Sequence, residues 1–458
     1  MLPDDVLLSI FDFCANEYAE WPKLVWETLV HVCRRWRSLV FGSPRGLNLQ
    51  LICTFRTPAR NTLDIWPPLP LYIISFVPHG NVDNIIALLE HKNRVCRIHL
   101  HGISRLDLEK VLAVMQKPFP ELTRLILHSE EITTAVLPDS FLGGSAPRLR
   151  FLELNGIPFP GLPKLLLSAT HFTNLFLSDI PHSGYFSPEA MATAFSTLTN
   201  LEVLYLGFKS PLSFPDRASR RLPPPTPIVI PVLRFLGFRG VGEYLDDLVV
   251  RIDAPLLKKL RITFFNQILF GTPQLVQFIS RTPALKAPET AHVMFEDGGA
   301  WVRLSSRASD FTDLTVEIPC QNSDWRVSAL EQVCTSCLPP LSTLEDLYIY
   351  ESPYPRPKWQ DNIENSLWLE LFQPFTAVKN LYLSEEFEPR IMPSLQELVG
   401  ERMAEVLPAL QNIFLEGLDT SEPAAVQKAS QEFVARRQAS QPIAVSRWDG
   451  REKFVLNF

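Results

Sequence analysis

The chain has 458 residues, 46% of them apolar and 20% charged, with a formal net charge of −7. That length exceeds what one compact core usually serves, so several domains or an elongated repeat is expected. Forty prolines argue against a long helical bundle, and the acidic balance argues against an overall nucleic-acid-binding footprint.

In chain order, the first predicted element is a helix opened by Pro3, with Asp4 and Asp5 at its positive end. Val6, Leu7, Ile10, Phe11 and Cys14 form one apolar stripe on it. A second helix carries Val25, Leu29, Val32, Cys33, Trp36, Leu39 and Val40 on one face, with Arg34, Arg35 and Arg37 set off from it. Gly42 and Pro44 end that helix. Two amphipathic helices of this length cannot close a core between themselves. Their surplus apolar surface must meet the rest of the chain or another protein.

The order Leu2-Pro3-Asp4-Asp5-Val6-Leu7-Leu8 with Ile10-Phe11, then Val32-Cys33-Arg34-Arg35-Trp36-Arg37, resembles the F-box motif. It is especially similar to the large F-box family of mushroom-forming fungi, down to the trailing PRGLNLQL. The resemblance implies a helical module over residues 1–46 that docks on the Skp adaptor of a Skp–cullin–F-box ubiquitin ligase. It implies adaptor contacts at Leu2, Pro3, Ile10, Phe11, Val32, Cys33 and Trp36. A second reading stays open, in which these helices cap the open end of a repeat array, with residues 47–94 as the connecting or capping segment.

From residue 95 a pattern recurs: apolar, two variable residues, apolar, one variable residue, apolar. Its copies include VCRIHL (95–100), LTRLIL (122–127), LRFLEL (149–154), FTNLFL (172–177), LEVLYL (201–206) and LRFLGF (233–238). It continues as LKKLRI (257–262), FTDLTV (311–316), LEDLYI (344–349), VKNLYL (378–383) and LQNIFL (410–415). A degraded copy at LKAPETAHVMF (285–295) would fill the double gap between Leu257 and Phe311. The last two apolar positions alternate with polar ones, which is strand periodicity. Helix starts lie between copies, at Ser187-Pro188 and Thr272-Pro273. One strand and one helix per repeat bury their apolar faces only when copies stack. The pattern resembles the leucine-rich repeat family, in an irregular form, over residues 95–418. The expected fold class is therefore α/β: a small N-terminal helical module, then a leucine-rich-repeat-like solenoid with parallel strands on the concave face and helices on the convex face.

Within each copy the residue between the last two apolar positions must point away from the core. Those residues are His99, Ile126, Glu153, Phe176, Tyr205, Gly237, Arg261, Thr315, Tyr348, Tyr382 and Phe414. Five are aromatic, which suits an interface. Phe176, Tyr205, Arg261, Tyr348, Tyr382 and Phe414 are the candidate target-binding residues; a C-terminal segment folding back over the row is the competing reading.

The Pro-rich piece 211–231 reads as a loop inserted in the solenoid, and 351–366 is similar. Residues 419–458 supply a terminal helix over 422–439 and then a closing strand in PIAVSRWDG. Cys334 and Cys337 form a CxxC, but only Cys320 lies near, so they read as core residues on one helix face rather than a zinc site. His99 and His101 sit two apart on one strand, with no evident third metal ligand. No nucleophile-elbow, phosphate-loop, dinucleotide or zinc-protease motif occurs, so no enzyme, metal or cofactor is expected. No apolar run reaches ~18 residues and the start lacks a basic signal-peptide region, so no membrane association is expected. Seven scattered cysteines fit an intracellular location, with cytoplasm and nucleus both open. Together these readings describe a non-catalytic substrate receptor, adaptor at one end and an unknown target protein on the repeats. The alternative is an interaction scaffold whose first helices only cap the array.

Overall fold

The computed structural model describes residues 2–16, 25–43, 47, 49–59, 63–64, 68–76, 82–129, 136–211, 226–265, 271–306, 312–320, 323–352, 359, 363–397, 405–416 and 443–448. The chain divides into two compact units, residues 1–186 and 187–458.

The first unit opens with three helices, α1 (Asp4–Asn16), α2 (Val25–Val32) and α3 (Arg34–Gly42). The single second helix expected from the periodicity is thus two. Cys33 breaks it with an extended backbone, and its Sγ caps α3 by accepting the Trp36 N–H at 3.5 Å. The break turns Trp36 onto Phe11, ring centroids 4.8 Å apart and edge to face. Leu7, Phe11, Val30 and Val40 are buried. The arginines read as set off from the apolar face tie the module together. Arg35 bridges to Asp4 and donates to the Leu2 carbonyl at 2.6 Å, and Arg37 donates to the Val30 carbonyl at 2.9 Å.

Six parallel strands follow in chain order: β1 (Leu51–Thr54), β2 (Leu71–Ser75), β3 (Val95–Ile103), β4 (Arg124–Ser129), β5 (Phe151–Asn155) and β6 (Asn174–Ile180). The ladder therefore starts inside the segment expected only to connect. The repeat pattern misses β1 and β2 because polar or small residues hold its apolar places. Ile73 pairs with Ile98 and Ser75 with Leu100, so Ser75 occupies a buried leucine position. Helices Val82–Leu89, Arg105–Val114 and Leu162–Leu167 alternate with the strands. Ser104 caps the second by accepting the Asp107 N–H.

The second unit begins with helix Pro188–Phe195, where Ser187 Oγ accepts the Ala190 N–H at 3.1 Å, as the Ser-Pro signal predicts. Its strands are β7 (Val203–Phe208), β8 (Ile228–Val229), β9 (Phe235–Gly240), β10 (Ile252–Asp253), β11 (Lys259–Phe264), β12 (Thr290–Glu296) and β13 (Gly299–Ser305). They continue with β14 (Asp313–Pro319), β15 (Asp346–Glu351), β16 (Asn380–Leu383), β17 (Asn412–Glu416) and β18 (Ala444–Trp448). β8, at the end of the predicted Pro-rich loop, pairs with β10 in a small parallel ribbon. The main order is β7-β9-β11-β14-β13-β12-β15-β16-β17-β18. Helices Gly242–Val249, Pro273–Arg281, Ser323–Ser336, Asn365–Phe372 and Glu388–Gln396 alternate with these strands.

The degraded copy at 285–295 is a strand, β12, but it does not fill the gap between Leu257 and Phe311. β14 pairs directly with β11, and β12 pairs with β15; antiparallel β13 stands between β12 and β14. A two-residue turn, Asp297-Gly298, sends the chain straight back, and a hairpin needs antiparallel pairing. The Thr272-Pro273 start also differs from expectation. Asp246, from the preceding helix, accepts the N–H groups of Gln274 and Leu275 at 2.9 Å each, so the cap is tertiary. The predicted helix at 422–439 lies outside the described residues, as do most of 211–231 and most of 351–362. The predicted closing strand is β18.

In each unit the inward leucine positions are buried. Leu125, Leu127, Leu152 and Leu175 serve the first, and Leu204, Leu206, Leu260, Leu347 and Leu381 the second. Each such side chain contributes roughly 1.5–3 kcal/mol when taken from water. This repeated burial fixes the opposite face of every strand outward. No described helix is long and apolar enough to cross a membrane.

Candidate functional site

Registers place the predicted outward residues in rows, one in each unit. In the first unit His99 pairs with Ile126, Ile126 with Glu153, and Glu153 with Phe176. In the second, Tyr205 pairs with Gly237, Gly237 with Arg261, and Arg261 with Thr315. The row then crosses the antiparallel insertion through Arg303 and His292 to Tyr348, Tyr382, Phe414 and Ser446.

Four rings of that second row form one stack. His292 lies on Tyr348 at 4.5 Å, Tyr348 on Tyr382 at 4.1 Å and Tyr382 on Phe414 at 4.5 Å, with planes within 9°. The close spacing follows from strand geometry, since neighbours lie ~4.8 Å apart and rings at matched registers must stack. Trp448 closes over the stack, 5.8 Å from Tyr348 and 5.7 Å from Tyr382. Met294, Trp301 and Tyr350 complete a buried cluster with Tyr348 and Trp448.

This corrects the reading of Tyr348 as an outward anchor: it is only 7% exposed, covered by a strand from the C-terminal segment. Tyr382 and Phe414 are half-buried at the rim of the same cluster. Tyr205 is half-buried too, with its ring laid across Gly207 and Gly237; a Cβ on Gly237 would overlap it. Glycine at the row position of β9 is therefore room for a neighbour's ring. Arg261 is exposed and pairs with Glu317 at 3.7 Å. Phe176 is half-buried, 5.5 Å from Phe151.

Sequence reasoning missed His292, and its environment is the most perturbed in this face. Burial first, and the facing Arg303 guanidinium second, hold its imidazole down to about 3. Arg303 is itself engaged by Asp313 at 3.1 Å. The row two residues earlier is polar: Asn380 donates to Asp346 at 2.6 Å and Asn412 donates to Asn380 at 2.8 Å. These residues hold the second variable place of the motif, so the repeat alignment contains a signal for this ladder.

On the helical module, the predicted adaptor contacts separate into two groups. Leu2 and Pro3 are exposed, Ile10 is 42% exposed and Val32 56%. Val6 and Phe13, on the same helix as Ile10, are exposed apolar residues too. Phe11 is buried at 1%, Trp36 half-buried against it, and Cys33 is exposed while it caps α3. Phe11 thus packs inside the module and shapes it.

The remaining cysteines and histidines sit as follows. Cys334 and Cys337 are buried thiols in the Ser323–Ser336 helix and just past it. Burial pushes the Cys337 thiol up to about 11, partly countered by the nearby Thr272 hydroxyl, and burial also raises Cys334. Tertiary structure brings a third histidine to His99 and His101. His128 lies 4.8 Å from His101 and 6.3 Å from His99, and its Nε2 bonds Glu153 at 2.7 Å. Burial first, then the neighbouring His128, lowers His99 below the usual histidine value. No group of metal-ligating side chains occurs among the described residues.

No family model matches the chain. No curated protein matches it. Among solved structures it is similar to the leucine-rich repeat-containing protein LegL7 from Legionella pneumophila. That likeness has 12% identity and a TM-score of 0.30, and covers 79% of this chain and 96% of that chain. At that score the likeness carries no argument, and the repeat architecture rests on the strand registers above.

Proposed function

We propose that the chain is a non-catalytic substrate receptor of a Skp–cullin–F-box ubiquitin ligase. Its N-terminal helices dock on the Skp adaptor, and its strand faces recruit a target protein. The observation that carries this reading is the set of exposed apolar side chains, Leu2, Val6, Ile10 and Phe13 at the first helix and Val32 at the end of the second, on a module whose own core holds Leu7, Phe11, Val30 and Val40. Apolar side chains left outside a closed core are what a partner helix covers. The F-box-like order of residues on the same helices names the partner. Catalysis then belongs to other subunits, and the receptor contributes proximity by raising the effective concentration of target at the ligase.

The test uses Ile10→Asp and Val32→Asp, both exposed, in the full chain. Capture of purified Skp adaptor should fall by about tenfold or more while the thermal melt is unchanged. Trp36→Ala should lose adaptor binding as well. Undiminished capture in the aspartate variants would overturn adaptor docking and leave the module as a cap on the strand array.

A further inference from the structure

The first unit carries a second row on its outer face, two residues before the row that the repeat pattern singles out. Tyr72 pairs with Arg97, Arg97 with Arg124, and Arg124 with Phe151. Two guanidinium groups thus stand directly opposite each other on neighbouring strands, an arrangement that repels. Among the described residues neither makes an ion pair or hydrogen bond, and Glu153 attracts Arg124 only from beyond contact distance. Each is held against a ring instead: Arg97 lies 6.0 Å from the Tyr72 ring centre and Arg124 3.9 Å from that of Phe151. Ring contact fixes a guanidinium plane without using its N–H donors. The result is a pair of adjacent donor forks held in place with nothing to donate to.

Among the described outward strand positions beside the pair, the carboxylate is that of Glu153, which His128 already engages at 2.7 Å. The chain as a whole is acidic, at −7, so this cationic face is a local feature. Phe151 and Phe176, half-buried and 5.5 Å apart, offer an apolar step beside it.

We propose that this face binds an extended acidic segment of a partner protein, with its Asp or Glu carboxylates shared between Arg97 and Arg124 and an apolar side chain on Phe151 and Phe176. Paired guanidinium forks suit carboxylates because each offers two parallel N–H groups. An anion between the two relieves a repulsion that the free protein carries. This deepens the target-recruiting half of the proposed function and rests on it.

The experiment is fluorescence anisotropy with the full chain and a labelled octapeptide alternating Asp and Phe. The same peptide with Asn for Asp, and a single-stranded oligonucleotide of equal charge, serve as comparators. The acidic peptide should bind, the Asn peptide about tenfold more weakly or worse. The double variant Arg97→Gln, Arg124→Gln should lose a similar factor with no drop in melting temperature, because it removes a like-charge pair. Arg105→Gln, which only breaks a helix-surface pair with Glu109, should bind as wild type. A charge-reversed double variant, Arg97→Glu with Arg124→Glu, should take up the peptide carrying Lys for Asp. Equal binding of the Asn peptide, full binding by the glutamine variant, or an oligonucleotide binding as tightly as the peptide would each overturn the proposal. Adaptor capture measured on the same variants separates the two ideas. Capture without peptide binding sinks only this face, and peptide binding without capture sinks only the ligase reading.

Discussion

His292 predicts a loss of stability in mild acid whose size follows from its surroundings. In the folded chain burial and Arg303 keep the imidazole neutral down to about 3, whereas an unfolded histidine titrates near 6.5. The folded value is lowered, so above the unfolded value the group has no effect. As pH falls below it, the unfolded chain takes up a proton that the folded chain refuses, and stability is lost until the folded group also titrates near 3. Between pH 8 and pH 5 the loss is about 1.4 kcal/mol per pH unit over about 1.5 units, or about 2 kcal/mol. His292→Phe keeps the ring stacked on Tyr348 and removes the titration. Urea unfolding followed by tryptophan fluorescence reports on this region, because Trp301 and Trp448 are buried in the adjoining cluster. The wild type should lose about 2 kcal/mol more than His292→Phe from pH 8 to pH 5. Equal pH slopes for the two proteins over that range would refute the reasoning and place His292 in water.

Tyr348→Ala should destabilise the second unit by about 3 kcal/mol, in the range of Leu381→Ala, because both side chains are buried; a shift under 1 kcal/mol on thermal melting would mean the Trp448 cover is absent. Arg261→Gln, exposed on the same row, should stay within about 0.5 kcal/mol of wild type by the same melt. Asn380→Ala should cost about 1–2 kcal/mol by thermal melt, since it breaks bonds to both Asp346 and Asn412. A thiol reagent on the native protein should label exposed Cys33 well ahead of Cys334 and Cys337, whose burial disfavours the thiolate; equal rates at pH 7.5, read by mass spectrometry, would contradict the packing.

The sequence by itself determined most of the repeat strands and their facing, though not β1, β2 or the antiparallel β13. Apolar residues at fixed spacing bury on one side of a strand, and the residue between them must then point to the other, so Leu204 and Leu206 go inward and Tyr205 outward on local grounds alone. The exposed Ile10 and Val32 of the helical module were legible in the same way, as apolar residues beyond what two short helices can bury. What periodicity could not carry is what comes to lie on a face once it is formed. Facing outward from the inner core is not exposure: Tyr348 faces out and is buried, because a strand some hundred residues later brings Trp448 across it. His292 joins the row only because β12 and β13 fold back as an antiparallel pair, which reverses strand order where a repeat count expects a simple succession. Arg97 and Arg124 each look like an ordinary variable residue in their own repeat, and become a pair only through strand register. Local spacing sets which way a side chain points; which charges and rings then meet, and which stay in water, is decided by contacts between residues far apart in the chain.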